Sequence, residues 1–305
     1  MVGKIELLPL RTIPEVDPGD DIGKLIFEAA RREIGSLQNQ DIAVVTMKIV
    51  SKAEGCLLHL DKVTPSEKAK RIAEKTGKPV QLIQAILDHS EKIIGAIPFY
   101  KLIEQGIIDP ESFSHRSEEA LELIRHDPTF LITLNKRGDL YSDAGVDTSN
   151  HPKGVASYPP ANPDHSANNI RQSIKSHTDK NIAVIIADTE IFLLGTIDIP
   201  RGISGIPLRS KKFAERDRFD KSKYGGVDLI AFELTAAASL LFGQTDEGVP
   251  VVIVRGYEYE ITDEKIDRGI TFPSAKRIFK EILKSSLEFK ILESFDKFYR
   301  FYRRG

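Results

Sequence analysis

Residues 182–189, with the sequence IAVIIADT, constrain the fold of this chain more than any other segment. Consecutive apolar residues, most of them β-branched, are typical of a strand that is buried on both faces of a sheet. Residues 41–50 and 249–256 have the same character. An amphipathic helical pattern covers residues 22–35, and a helical pattern rich in small residues covers residues 227–243. Strands that alternate with helices in this way predict an α/β fold.

The charge balance and the cysteine content exclude several classes of protein. The 43 basic and 45 acidic side chains among 305 residues give a formal net charge of -2, which predicts no general attraction to nucleic acid or to an anionic membrane. The single cysteine, Cys56, excludes an intramolecular disulfide framework and a cysteine-rich zinc site. No apolar run approaches the roughly 18 residues of a membrane span, and the first residues lack the cleavage site of a secretory signal. We therefore predict a cytoplasmic protein without membrane or nucleic-acid partners.

The pattern of elements divides the chain into a core and an extension. Residues 1–257 contain the apolar strands and are predicted to form the core, with an insertion at residues 100–128 where the helical pattern is weak. Residues 258–305 are predicted to be a C-terminal helical extension. The reason is an amphipathic pattern, compatible with one long helix or two shorter ones, that begins at Pro273 and ends in basic and aromatic residues.

Shorter signals predict individual elements. Residues 4–13 have the pattern of an edge strand, residues 80–93 that of a helix, and residues 129–143 that of a β-hairpin. Asp164 precedes a further helical pattern and is predicted to cap it.

Several acidic residues are candidate metal ligands. The common phosphate-binding fingerprints are absent, since the chain has no G-x-x-x-x-G-K-[ST] and no G-x-G-x-x-G between a strand and a helix. Acids offer another way to bind a nucleotide, because hard divalent cations take oxygen ligands. Asp143, Asp147, Asp188 with Thr189, and Glu233 all lie beside apolar runs. In open α/β sheets ligands gather at such strand ends.

Each of these acids also has a structural interpretation. Asp143 and Asp147 could form turns or cap helices, as acids after strands usually do. Asp188 directly follows a run of apolar residues, so its carboxylate must find a cation or several hydrogen-bond donors. Glu233 shares a helical face with Leu240, where an unpaired acid would be costly, so Glu233 is predicted to need a partner as well.

Basic residues follow the first buried strand. Lys48, Ser51 and Lys52 could donate hydrogen bonds to phosphates held by a metal, although a solvated loop would have the same composition. Arg201 and Arg209 flank a glycine-rich turn and could bind a substrate carboxylate. The pattern alone leaves these alternatives open.

Eight short motifs can be read along roughly residues 5–257, namely IPEVDPGDD, VVTMKIVSKAEG, SDAGVDTSN, NPDHSANNIR, IADT, GTIDIPRGISG, KYGGVD and PVVIVRG. In their order and approximate spacing, these motifs resemble those of the γ-glutamyl ligase family of coenzyme F420 biosynthesis.

The resemblance implies a GTP-dependent amide ligase that uses Mg²⁺ or Mn²⁺, has mixed sheets with flanking helices and forms a homodimer. A small-molecule carboxylate and an amino acid would be joined through an acyl phosphate. By position, the resemblance implies four metal ligands, the first two of them catalytic: Asp147, Asp188, Thr189 and Glu233. It also implies four contacts to the nucleotide phosphates: Lys48, Ser51, Lys52 and Asn150.

Three residues depart from the family pattern. Glu190 stands where the ligases usually carry an arginine-bearing stretch, Phe232 stands where an acid is usual, and His89 stands where they tend to have Glu. These differences keep two alternatives open. One is a module that binds metal and nucleotide without turnover, and the other is a metal-dependent phosphohydrolase in which the same carboxylates activate water.

Overall fold

The computed structural model describes most of the chain, namely residues 3–192, 195–266, 280–281 and 283–285. The described residues fall into two units, one made of residues 3–136 and 140–266 and the other containing residues 137–139. The helix predicted from Pro273 onward falls largely outside the described residues. The boundary between core and extension therefore stays a prediction.

Strands and helices alternate along much of the described chain. The strands are β1 (Glu6–Leu10), β2 (Ile42–Thr46), β3 (Leu57–His59), β4 (Lys92–Ile97), β5 (Phe130–Leu134), β6 (Leu140–Ser142), β7 (Val155–Ser157), β8 (Ala183–Phe192), β9 (Gly195–Ser204) and β10 (Val251–Arg255). The α-helices are α1 (Ile22–Glu33), α2 (Met47–Ala53), α3 (Glu67–Thr76), α4 (Val80–His89), α5 (Phe99–Glu104), α6 (Ser117–His126), α7 (Pro163–Thr178) and α8 (Ile230–Phe242).

A five-stranded sheet in the order β1-β10-β2-β8-β9 forms the centre of the fold. Its neighbouring strands are antiparallel except β2 and β8, which are parallel, so the sheet is mixed. The apolar runs predicted as buried strands are β2, β8 and β10, and their aliphatic side chains are almost fully excluded from solvent. β1 lies at the edge, as predicted. The α/β class, with mixed sheets and flanking helices, is confirmed.

Alternate residues of the central strands face different layers of helices, because successive side chains of a strand point to opposite faces. Ala43 and Val45 pack in one apolar cluster with residues of α1 and α7. Ile42 and Val44 pack in a second cluster with residues of α8. Both faces of the sheet are covered, so the strand ends are its accessible part.

Two smaller sheets contain the remaining strands. β3 pairs with β7, and β4, β5 and β6 form an antiparallel sheet in which β5 and β6 are the predicted hairpin. The helix predicted over residues 80–93 was too long, because α4 ends at His89. Residues from Lys92 onward join β4 instead, where alternate side chains are half-buried in the pattern of a strand.

One helix begins with a different cap from the one predicted. Pro163 takes the first helical position of α7, so Asn162 is the N-cap and accepts a hydrogen bond from the backbone of His165. Asp164 is buried in the first turn and accepts a hydrogen bond from the backbone N–H of Ile203 at 3.0 Å. Its carboxylate therefore joins α7 to β9.

Among the described residues, no helix is long and apolar enough to cross a lipid bilayer.

Candidate functional site

The carboxyl end of β2 and the part of β8 beside it bring polar side chains to one edge of the central sheet. Thr46, the last residue of β2, pairs in register with Ala187 of β8. Lys48, in the first turn of α2, and Asp188 therefore follow at the same edge. Asp147, from a separate segment, forms an ion pair with Lys48 there. The structure thus brings together two of the acids and one of the lysines singled out in the sequence.

Asp147 is a well-stabilised anion. One carboxylate oxygen accepts a hydrogen bond from the backbone N–H of Ser149 at 2.7 Å, and the other accepts from the Ser149 hydroxyl at 3.1 Å and from the Lys48 ammonium. Burial favours the neutral acid, but the Lys48 charge and these hydrogen bonds outweigh burial. The pKa of Asp147 therefore lies below its ordinary value.

For Asp188 the effect of burial is larger than the effect of the neighbouring positive charge. Its pKa is raised to about 7, chiefly by burial and further by the negative charges of Glu190 and Asp147, against the opposing effect of the Arg201 charge. A cation beside Asp188 would favour its ionised form and so reverse this shift.

Asp147 and Asp188 suit a hard divalent cation that is bound together with a phosphorylated ligand. In the part of the chain that the structure describes, no group of three or more His, Cys, Asp or Glu side chains is arranged to hold a metal ion by itself. Mg²⁺ is usually bound by one or two carboxylates and completed by substrate phosphates and water. The two acids could supply the carboxylates of such a set, and the Lys48 ammonium paired with Asp147 is a group of the kind that binds phosphate.

A cleft of about 420 Å³, here called the lysine cleft, opens at this edge of the sheet. Lys48, Lys52 and Asn150 line it. Lys52 forms an ion pair with Glu15 and donates a hydrogen bond to the backbone carbonyl of Asn150 at 3.2 Å. Ser51 is buried within α2 and is not among the residues that line the cleft. Three of the four residues predicted to contact phosphate therefore lie at the cleft.

Two loops that complete the lysine cleft were not predicted from the sequence as parts of a site. They are residues 13–16 and the segment from Gly243 to Pro250. The Asn150 carboxamide donates a hydrogen bond to the carbonyl of Thr245 at 3.2 Å, which ties the second loop to the segment that carries Asp147. Gly243 and Gly248 have φ values of 70° and 66°, a conformation that favours glycine. The sequence signal that could have identified the second loop is the pair of glycines, Gly243 and Gly248, on either side of the polar stretch QTDE.

Thr189 lies on the opposite face of β8 from Asp188, because neighbouring strand residues alternate between faces. Its hydroxyl donates a hydrogen bond to the carboxylate of Asp198 on β9 at 2.6 Å. The strand itself therefore separates Thr189 from Asp188, and the two do not converge as the predicted metal set requires.

Glu233 lies away from the lysine cleft. It is exposed in the first turn of α8 and lines a different cleft, of about 620 Å³, together with Arg209. Phe242, at the far end of α8, lines the lysine cleft, and the helical rise places Glu233 about 14 Å from it along the axis. Leu240, placed on the same helical face as Glu233, is 81% exposed, so the cost of an unpaired acid on an apolar face, from which a partner for Glu233 was predicted, does not arise. Within the chain, Glu233 does not join Asp147 and Asp188.

Asp143, the first acid of the SDAGVDTSN motif, stabilises the local structure. Its carboxylate contacts the buried Lys78 ammonium at 3.0 Å and accepts a hydrogen bond from the backbone N–H of Leu131 at 2.9 Å. Asp143 itself has a positive φ of 47°. These contacts assign Asp143 to the turn, one of the two roles considered for it.

Glu190 receives its counterion from the neighbouring strand. Arg201 forms an ion pair with Glu190, donates a hydrogen bond to the carbonyl of Leu140 at 2.7 Å, and lies over the Tyr141 ring with its guanidinium carbon 3.8 Å from the ring centroid. A register shift opposite residues 186–187 makes Arg201 the extra residue of a β-bulge, which redirects its side chain. Two of the guanidinium nitrogens are thereby engaged by the protein rather than by a substrate carboxylate.

The sequence of the chain matches a known family over most of its length. Residues 11–256 match the profile described as F420-0:Gamma-glutamyl ligase. The chain belongs to this ligase family. It is 36% identical over 258 residues to the Coenzyme F420:L-glutamate ligase of Methanothermobacter thermautotrophicus, covering 84% of this chain and 90% of that protein.

Two further relatives of this ligase family member carry the same name. The protein of Archaeoglobus fulgidus is 32% identical over 255 residues, covering 83% of this chain and 88% of the relative. The protein of Methanopyrus kandleri is 33% identical over 260 residues, covering 85% of this chain and 88% of the relative. The family resemblance drawn from the eight motifs is confirmed.

The region shared with the ligase family contains the lysine cleft and the acids beside it. His89 and Phe232, which depart from the family pattern, lie elsewhere. The His89 ring stacks on Tyr158 with 3.7 Å between the ring centroids, and Phe232 packs against the apolar cluster on the α8 face of the sheet. Neither residue lines the lysine cleft.

Proposed function

We propose that this family member uses GTP and Mg²⁺ or Mn²⁺ to form an amide bond between a small-molecule carboxylate and the amine of an amino acid. The relatives are named Coenzyme F420:L-glutamate ligase, so a coenzyme F420 species and L-glutamate are the proposed substrates. The cytoplasm is the proposed compartment, on the composition arguments given above.

The observation that carries the proposal is a cleft lined by Lys48 and Lys52, with the Asp147 carboxylate paired to Lys48 at its border. Asp188 lies near enough to Asp147 for the two negative charges to interact. Lys48 and Lys52 would bind the negatively charged phosphates, and Asp147 and Asp188 would hold the metal ion. When bound, the metal ion would supply positive charge at the phosphoryl oxygens. Asn150, held to the loop at Thr245, would position the triphosphate between these groups.

The proposed reaction has two steps. A carboxylate oxygen of the acceptor attacks the terminal phosphorus of GTP, the bond from phosphorus to the bridging oxygen breaks, and GDP leaves. The amine nitrogen of the amino acid then attacks the acyl carbon, phosphate leaves with the bonding electrons, and the nitrogen loses its proton. The chain contributes positioning and charge, since Lys48 and Lys52 stabilise the negative phosphoryl oxygens in the first step.

A turnover assay tests the proposal. The protein is incubated with GTP, Mn²⁺ and a coenzyme F420 acceptor, with and without L-glutamate, and GDP release is followed. Release that depends on L-glutamate, with an amide product of matching mass, is the expected result. Release without an amine would favour the phosphohydrolase, and GTP binding without release would favour the binding module. ATP in place of GTP is the matched control for the choice of nucleotide.

We also propose a homodimer, supported by the family membership and by large apolar side chains on the surface. Tyr224, Phe219 and Leu240 are 93%, 82% and 81% exposed. Changing Leu240 to Glu is expected to convert the dimer to a species with the 34.1 kDa mass of one chain, because a buried charge disfavours an apolar interface. Light scattering after gel filtration measures this mass. The control is Leu123→Glu at a 73% exposed site on α6, and a dimer that survives Leu240→Glu would contradict the assignment.

A further inference from the structure

The ammonium group of Lys48 binds the Asp147 carboxylate, which is one of the two carboxylates proposed to bind the metal ion. Its ammonium contacts Asp147 and also donates hydrogen bonds to the backbone carbonyl and the hydroxyl of Ser149, both at 2.8 Å. An ammonium has three N–H donors. All of them are engaged by residues 147–149, so Lys48 can bind a phosphate only by giving up one of these partners.

The second lysine of the lysine cleft is engaged in the same way. Lys52 forms an ion pair with Glu15 and donates a hydrogen bond to the carbonyl of Asn150. Each lysine is therefore paired with an acid of the protein, and Asp246 places a further carboxylate in the lining of the cleft. An anion entering the cleft must displace an acid, and a cation entering it must displace a lysine.

We propose that the Lys48 ammonium neutralises Asp147 in place of the metal ion while no metal ion is bound. It binds the Asp147 carboxylate until a divalent metal ion arrives with its phosphates, and it then moves to the phosphate oxygens. The lysine cleft consequently takes the metal–triphosphate complex as a unit and binds neither component well alone. This inference rests on the proposed function and adds the form in which the nucleotide is accepted.

The charges at Asp147 give the physical reason. A metal ion that binds alone must detach Lys48 and leave two positive charges side by side. A triphosphate that binds alone must draw Lys48 away and leave the Asp147 carboxylate facing phosphate. When both bind together, every charge has a neighbour of opposite sign, so each ligand strengthens the other, with coupling of about 10- to 100-fold expected by analogy with typical linked sites.

Ser149 holds the two partners in place. Its backbone N–H and hydroxyl donate to Asp147, while its carbonyl and hydroxyl oxygens accept from Lys48. Asp147 is further fixed by a β-bridge to Ser157, in which the two backbones exchange hydrogen bonds of 2.9 Å. The movement therefore falls to the Lys48 side chain, which leaves the acid where the metal ion would meet it.

Calorimetric titration of the full chain tests the inference with Mn²⁺ alone, GTP alone in the presence of EDTA, and Mn²⁺ with saturating GTP. Lys48→Met is expected to bind Mn²⁺ alone about tenfold more tightly than the wild type, because the competing cation is gone. The same variant is expected to bind metal-free GTP more weakly and to lose most of the coupling. The matched control is Lys153→Met, which removes a positive charge from an exposed site in the following loop.

A second variant separates the charge of Lys48 from its packing. Ser149→Ala keeps both charges but removes the hydroxyl that joins them, and it is expected to raise the affinity for Mn²⁺ alone by a smaller factor. Unchanged or weaker Mn²⁺ binding by both variants, with Mn²⁺ and GTP still bound together by the wild type, would overturn this inference and leave the proposed function standing. A wild-type chain that binds neither Mn²⁺ nor GTP would overturn both.

Discussion

Replacing Asp188 with Asn is expected to abolish metal-dependent turnover and, at the same time, to stabilise the metal-free protein. The carboxylate would hold the metal ion against the phosphates, and an amide in its place lacks the charge. Loss of one preorganised electrostatic contact of this kind costs about three orders of magnitude in turnover. Residual GDP release with saturating Mn²⁺ and GTP measures this loss.

The gain in stability follows from the pKa of Asp188. That pKa is about 7 in the folded chain, above the ordinary 3.8, so the ionised carboxylate is disfavoured by folding. The wild type is therefore expected to lose stability as the pH rises from about 4 to about 7, and the loss is complete above that range. Asn does not ionise, so the free energy of unfolding of Asp188→Asn should exceed that of the wild type at pH 8 by about 2 kcal/mol.

Asp147→Asn provides a control with the opposite sign. Its pKa lies below the ordinary value, because Lys48 and Ser149 outweigh the effect of burial, so ionised Asp147 stabilises the fold above its unfolded pKa and this contribution is lost in acid. Asp147→Asn should therefore lose turnover and also lose stability at pH 8. Urea unfolding in EDTA at pH 8 compares the two variants. If Asp188→Asn proves less stable than the wild type, or keeps its turnover, the role given to Asp188 is wrong.

The arrangement of the strands could be predicted because their apolar runs leave few alternatives. β2, β8 and β10 are continuous apolar segments, and such segments are stable only in the middle of a covered sheet. The pattern failed at residues 80–93, where a helical period continues past the end of α4. There the pairing of β4 with β5 decides the structure, and a pairing between distant segments leaves little trace in the local pattern.

The candidate site could be predicted in part for the same reason. Lys48 follows the end of β2, and Asp188 lies in β8 directly after the residue that pairs with Thr46, so their proximity follows from the pairing of these parallel strands. The alternation of strand side chains already separates Thr189 from Asp188, which a stricter use of the two-residue period would have shown. Glu233 was misplaced because the apolar character of α8 extends around the helix, which hides the face that is buried. The direction of the Arg201 side chain depends on a β-bulge, which the sequence pattern does not predict.

Replacing the buried Lys78 is expected to cost a large part of the stability of the fold. Its side chain is fully buried, and its ammonium contacts the carboxylates of Asp127 and Asp143 and donates a hydrogen bond to the carbonyl of Thr129 at 2.8 Å. Lys78→Met keeps the length of the side chain but leaves Asp143, whose side chain is only 14% exposed, without its cation. Removing one partner of a buried ion pair costs about 3 kcal/mol, and we expect the free energy of unfolding to fall by this amount.

The pKa of Asp143 shows why the damage should fall on this acid rather than on Asp127. Burial already raises the pKa of Asp143 although Lys78 opposes the shift, whereas Asp127 is about one-third exposed and can be solvated. Adding Asp143→Asn to Lys78→Met removes the unpaired charge and should restore part of the stability at pH 8. The exposed Lys70, paired with Glu67 at 2.7 Å, gives the control Lys70→Met, which should unfold like the wild type. A Lys78→Met chain as stable as that control would mean that the buried lysine does not hold the turn at Asp143 together.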